Sequence, residues 1–175
     1  LEALNICYPY DGDIKDVKDI KYLVGTNGLK SVMKYTEKVS PPTKKNFEYK
    51  TEKFGNIFSY NEIGKYSSKI KKICENIKKS TGIVLVYSQY IDGGVIPLAL
   101  ALESIGITRY GSKSSSFFKK SQHEPIDAFT LNTKGENDVE FNPAKYAIIS
   151  GDVAISPDNL YEIKAITDKS NIDGK

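Results

Sequence analysis

Tryptophan is absent from this 175-residue chain, and methionine, histidine and arginine occur once each, as Met33, His123 and Arg109. One histidine and two cysteines, Cys7 and Cys74, with no CxxC spacing, exclude an ordinary transition-metal or structural zinc site. Two cysteines are also too few for a disulfide scaffold, so a reducing compartment is the expectation. No apolar run reaches the roughly 18 residues a membrane-spanning helix needs. The opening Leu1-Glu2-Ala3-Leu4-Asn5 lacks the basic start and apolar stretch of a secretory signal. It also lacks an initial Met, which predicts that the chain begins within a longer protein.

What is present supports a folded domain. Hydrophobic residues make up 39% and charged residues 27%, a balance that can bury a core, and the length suits one domain or a domain and a half. The net charge of +3 is compatible with nucleic-acid contact without demanding it. All but one of the 25 basic residues are lysines, so phosphate contacts would be lysine point charges or backbone N–H groups.

Hydrophobic spacing predicts α/β architecture. Residues 1–58 read as a mixed helical and loop segment, with short apolar stripes at Val17, Ile20, Tyr22, Leu23 and Val24, and at Leu29, Val32 and Met33. Between the stripes lies a Gly25-Thr26-Asn27-Gly28 turn signal. Ser40-Pro41-Pro42 forces extended backbone, and 38–58 is expected as a linker with scattered aromatics. Ile63, Tyr66, Ile70, Ile73, Cys74 and Ile77 fall on one helical face, and Gly82 closes that helix. Five β-formers follow without alternation, Ile83 to Tyr87, predicting a parallel strand buried on both faces. A second helix carries Val95, Leu98, Ala99, Leu102 and Ile105, with Pro97 in its first turn and Gly106 at its end. Residues 111–142 carry few apolar side chains and are expected to form a poorly ordered insert. Tyr146 to Ile149 is a second buried-strand candidate. Ser156-Pro157-Asp158 then predicts a helix start, with Ser156 as N-cap. The sheet is expected to be incomplete at the C-terminus.

No self-sufficient active site is legible. Gly25 to Ser31 ends like a phosphate-binding loop, but its glycines lie three apart instead of five and no buried strand precedes them. Asp92-Gly93-Gly94 opens a helix after the first strand candidate, yet it is not a dinucleotide fingerprint. His123 sits in the insert, where no rigid element could build a triad around it. Glu136 and Asp138 lie in the same loose region. No catalytic and no metal-binding residue is therefore assigned.

Two loops remain. Ser88, Gln89, Tyr90, Gly93 and Gly94 follow the first strand candidate, and Ser150, Gly151 and Asp152 follow the second. Ligands in open α/β sheets bind at such carboxyl ends. Neutral donors and glycines suit a phosphodiester backbone gripped without base readout. Asp152, whose carboxylate would repel phosphate, is expected to structure its loop. Ordinary β–α turns capped by Asp92 and Asp152 are the competing expectation.

Tyr66-Ser67-Ser68-Lys69-Ile70, then Gly82 to Tyr90, then Glu103-Ser104-Ile105-Gly106, resemble the start of the second RecA-like lobe of superfamily 2 helicases, Swi/Snf-type translocases among them. Tyr87-Ser88-Gln89-Tyr90 resembles helicase motif IV, and Ile149-Ser150-Gly151-Asp152 the Gly-Asp segment closing the next strand. Asp92-Gly93-Gly94, Thr108-Arg109-Tyr110-Gly111 and the stretch from Ser156 to Lys175 are similar to helicases of nucleocytoplasmic large DNA viruses, akin to poxvirus nucleoside triphosphate phosphohydrolase I. The resemblance implies a partial RecA-like parallel sheet over 59–175, with 1–58 as an inter-lobe segment. It implies an ATP-dependent helicase or translocase, with ATP and Mg held mostly outside this chain. The implied partners are nucleic acid, DNA in preference to RNA, and a first RecA-like lobe of the same polypeptide. The implied location is intracellular, in a viral factory or virion. The family's phosphate-binding loop, acidic motif and later arginine motifs are absent here, so the chain alone is expected to be inactive towards ATP. A basic α/β binding module without an NTPase role, or part of a doubly wound small-molecule enzyme, are the alternatives.

Overall fold

The computed structural model describes residues 2–37, 45–111, 116–135 and 140–171. Ser40-Pro41-Pro42, Ser114-Ser115, the Glu136/Asp138 pair and Gly174-Lys175 lie outside the described residues. The chain is a small mixed α/β domain with several helices and two two-stranded sheets. Helix α1 (Gly25–Val32) leads into β1 (Met33–Glu37), which pairs antiparallel with β2 (Lys45–Tyr49), Met33 opposite Tyr49 and Glu37 opposite Lys45. Short helices α2 (Thr51–Phe54) and α3 (Ile63–Tyr66) precede α4 (Ser68–Lys79). After a π turn at Ile91–Val95 comes α5 (Ile96–Ser104). Strands β3 (Thr108–Arg109) and β4 (Lys145–Tyr146) pair in parallel, and α6 (Asn159–Ile166) follows.

The helices follow local chemistry closely. α5 is apolar almost all round and therefore buried, with Ile96, Leu100 and Ala101 inaccessible. Pro97 stands at its start, and Gly106 (φ +92°) makes the left-handed turn that ends it. The stripe from Ile63 to Ile77 is not one continuous helix. Ser67 adopts an extended conformation, accepts the Ile70 N–H at 2.9 Å and donates its hydroxyl to the Asn5 carbonyl, so α3 stops and α4 begins there. The start of α6 also differs from expectation. Ser156 donates to the Ile148 carbonyl instead of capping, and the N-cap position falls to Asp158.

The core is one cluster drawn from both sides of residue 58. Ile6, Tyr8, Leu29, Phe47 and Phe58 share it with Ile70, Ile96, Leu100 and Phe117. Residues 45–58, expected as linker, thus supply a strand and four buried side chains: Phe47, Tyr49, Ile57 and Phe58. The expected insert is tied in as well. Phe117 and Phe118 are buried, and their segment runs alongside β2 through Phe47 N–H to the Phe117 carbonyl (2.7 Å) and Lys119 N–H to the Phe47 carbonyl (2.9 Å). The signal for this was the Phe117-Phe118 pair itself, outweighed by its polar surroundings.

The largest departure concerns 83–87. This run is not a buried strand. It belongs to no sheet, its amides make no hydrogen bond among the described residues, and all five side chains are exposed, Leu85 by 92% and Tyr87 by 86%. A fully buried parallel strand needs neighbours on both edges and layers over both faces. Among the described residues nothing supplies them: the parallel pairings are β3 with β4, two residues on each strand, and a single bridge between Phe47 and Phe118, and neither involves 83–87. The second candidate is borne out only at its first residue: Tyr146 pairs with Arg109, while Ile149 is exposed.

Two side-chain carboxylates organise the loops. Buried Glu103, in the last turn of α5, accepts from Phe117 N–H (2.8 Å), Phe118 N–H (3.0 Å), the Ser116 hydroxyl (2.6 Å) and the Tyr146 hydroxyl (2.7 Å). Burial, and then the Glu103 charge, push the Tyr146 phenol well above its ordinary range. Asp127 accepts from the N–H groups of Thr130 (2.8 Å), Asn142 (2.8 Å) and Phe129 (2.9 Å), which hold its carboxyl at about 2. An unfolded Asp titrates near 3.9, so this contribution is complete above about pH 4 and is lost as pH falls towards 2. Amide exchange at Phe129, Thr130 and Asn142 should therefore accelerate between about pH 4 and 2 beyond its intrinsic trend. Exchange that follows the intrinsic trend throughout would show that the ionised carboxylate does not hold this loop.

Candidate nucleic-acid interface

The two loops nominated from the sequence are built differently. Ser88 closes its own turn, its hydroxyl donating to the Tyr90 carbonyl (3.0 Å) and accepting the Tyr90 N–H (3.2 Å). Gln89 is exposed and Tyr90 half-buried. Gly93 and Gly94 are buried within the π turn. A Cβ at Gly93 would meet the Glu2 side chain within 3 Å, and one at Gly94 would strike the Ser88 hydroxyl. The close approach these glycines allow is thus made by protein groups. Glu2, unremarkable in sequence, brings a carboxylate against Gly93 and against Gly25 at the start of α1. Tyr8 donates to the Asp92 carbonyl at 2.8 Å, and Thr26 donates to the Asp92 carboxylate at 2.5 Å. Burial, with Asp92 and Glu2 nearby, pushes the Tyr8 phenol well above its ordinary range. The Cα faces of Gly93 and Gly94 are therefore filled by Glu2 and Ser88, beside an acidic group.

The second loop is open. A Cβ at Gly151 would meet nothing within 4 Å. Ser150 pairs with Asp152, its hydroxyl accepting the Asp152 N–H at 3.1 Å. The Asp152 carboxylate accepts the Ala154 N–H at 2.8 Å and lies 3.7 Å from Lys45. Asn159, the first residue of α6, donates to the Ser150 carbonyl at 2.6 Å and fixes the loop against the helix. No hydrogen bond or ion pair joins this loop to 88–94 among the described residues.

An aromatic pair borders the open loop and escaped sequence reasoning. Tyr110, one residue past β3, stacks on Tyr161 of α6, with ring centroids 6.1 Å apart and planes within 9°. The Lys145 ammonium lies 5.7 Å from the Tyr110 ring centroid. Hydrogen bonding to the Tyr161 hydroxyl raises the Tyr110 phenol above its ordinary range. Only the shared end of β3 and α6 brings these residues together, 51 positions apart (161 less 110).

The remaining candidates have other roles. His123 is exposed and rests on the Glu124 carbonyl at 2.6 Å. On the lysine-rich helix, Lys71 and Lys78 lie 3.1 and 4.1 Å from the Tyr60 ring centroid, and Lys69 bonds Asn5 at 2.7 Å. Lys72 pairs with Glu75 at 3.2 Å. These contacts leave α4 without a continuous row of cations aimed at solvent.

The Gly25 to Ser31 segment does not form a phosphate-binding loop. Gly25 to Ser31 lies within α1, with Glu2 against Gly25, Tyr8 against Gly28 and Thr26 bonded to Asp92. Among the described residues no group of three His, Cys, Asp or Glu side chains is placed to hold a metal. Nor is any described helix long and apolar enough to cross a membrane.

No protein-family model, curated protein or solved structure matches this chain.

Proposed function

We propose that this chain is part of an ATP-dependent nucleic-acid helicase or translocase and supplies contact to the strand backbone. The observation that carries the reading is the open Ser150-Gly151-Asp152 loop beyond the parallel β3–β4 pair, held from behind by Asn159. Gly151 lets a sugar-phosphate chain come close to its own N–H, since the Ser150 and Asp152 N–H groups are bonded to Asn159 and to the Ser150 hydroxyl, and Asp152 is turned towards Lys45. The helicase assignment, with a partial RecA-like lobe as its fold, is suggested by the sequence resemblance of Gly82 to Tyr90 and Ile149 to Asp152, of which 83–87 belongs to no sheet. ATP and Mg would be held mostly by parts of that polypeptide outside this chain. Of the first loop, only exposed Gln89 is placed to add a contact.

The test is strand binding by the 175-residue chain. A Cβ at open Gly151 leaves the fold intact, so Gly151→Ala and Ser150→Ala should each weaken binding about equally for all base sequences, and Gln89→Ala to a smaller degree. Binding at this edge should be only mildly salt-dependent, because neutral donors release few counterions. The same preparation should show no ATP turnover. Nucleic-acid-stimulated hydrolysis by the purified chain, or affinity unchanged in all three variants, would overturn the proposal.

A further inference from the structure

We infer that the Tyr110–Tyr161 pair is a base-stacking platform, so that the ligand of this edge is a single strand with unpaired bases. The inference rests on the proposed backbone contact at Ser150–Asp152 and adds a second, chemically different component to it.

Position comes first. Asn159 ties the open loop to the first residue of α6, and Tyr161 follows two residues later on the same helix. Positions two apart on a helix do not share a face, so a strand whose phosphates pass Gly151 would set a base on Tyr161 by turning across the first turn of α6. Exposure comes second. Tyr161 is 49% exposed although it is stacked on Tyr110, so the inner ring supports it while much of the outer one meets solvent. The two planes lie within 9° of each other, so a base added outside would extend an existing stack. Charge comes third. Lys145 sits 5.7 Å from the Tyr110 ring, and exposed Lys164 is one helical turn from Tyr161. Set against the carboxylate of buried Glu162, which also acts on Tyr110, these two cations leave the aromatic face net positive, the combination that holds single strands by stacking and phosphate attraction without sequence readout. A duplex hides its base faces and cannot use such a platform. Discrimination between single strand and duplex would thus reside in the tyrosines, and phosphate grip in the loop.

The experiment compares fluorescence anisotropy of the 175-residue chain with three labelled probes: a short oligothymidylate, an abasic strand of equal length, and a duplex. The thymidylate should bind about fivefold or more tightly than the abasic strand. Tyr161→Ala should remove that difference, while Tyr161→Phe, which keeps the ring, should retain it. Equal affinity of the unmodified chain for thymidylate and abasic strands would overturn the platform, whatever the variants do. If those equal affinities both fall on Gly151→Ala, the backbone reading stands and the tyrosines are surface packing. Failure to bind any strand would overturn both.

Discussion

Glu103→Ala should cost the domain about 3–6 kcal/mol, a large part of the 5–15 kcal/mol that typically holds a domain folded. The carboxylate receives two backbone N–H groups and two hydroxyls, from Ser116, Phe117, Phe118 and Tyr146. Truncation leaves buried donors without an acceptor, and each such group costs about 1–3 kcal/mol. The loss should reach beyond the helix, because those donors join α5 to the 116–118 segment and to β4. Glu103→Gln keeps the shape but turns an N–H₂ towards donors, so it should lie between wild type and Ala. Urea unfolding followed by far-ultraviolet circular dichroism measures the order, in a chain that has no tryptophan to report. A cost under about 1 kcal/mol for Ala would mean that the buried network does not form.

Phe117→Ala and Leu85→Ala should differ by a wide margin, in the direction opposite to the one hydrophobic patterning suggests. Phe117 is fully buried, meets Phe47 edge-on at 5.8 Å and carries Arg109 over its ring at 4.4 Å. Its removal should cost about 3–5 kcal/mol through lost burial and the cavity left behind. Leu85, 92% exposed, should change stability by no more than about 0.5 kcal/mol. Thermal and urea unfolding of the two variants side by side is the measurement. A destabilised Leu85 variant beside a tolerant Phe117 variant would restore 83–87 to the core and return 116–118 to the status of an insert.

The contrast shows where the chain's sequence is legible and where it is not. α5 could be read almost to its ends, because Pro97, Gly106 and the apolar run between them act within a few residues. The amphipathic stripe of α4 was equally local, though its break at Ser67 was not, since Asn5 supplies half of the cap. Strand β2 and the Phe117-Phe118 segment depend on each other across about 70 residues; β2 alternates only over Phe47-Glu48-Tyr49, too short a run to mark a strand alone, and Phe117-Phe118 does not alternate. The run from Ile83 to Tyr87 fails in the opposite way. Its residue types ask for a sheet, but a strand exists only where another strand accepts its hydrogen bonds. At the candidate site, the sequence marked Gly151 and the structuring role of Asp152. Glu2 against Gly93, and Tyr110 behind Tyr161, come from chain crossings that no short motif records.

The exposed 83–87 segment also bears on how stability varies with temperature. Ile83, Val84, Leu85, Val86 and Tyr87 are already hydrated in the native state, as are Ile149, Val153, Leu160 and Ile163. Apolar surface that meets water before unfolding adds nothing to the heat-capacity increment, which normally runs about 12–15 cal/mol/K per residue. Calorimetry of this chain should therefore give an increment at or below the low end of that range, and a flatter free-energy dome. At a given melting temperature and enthalpy, such a dome makes stability change less between heat and cold.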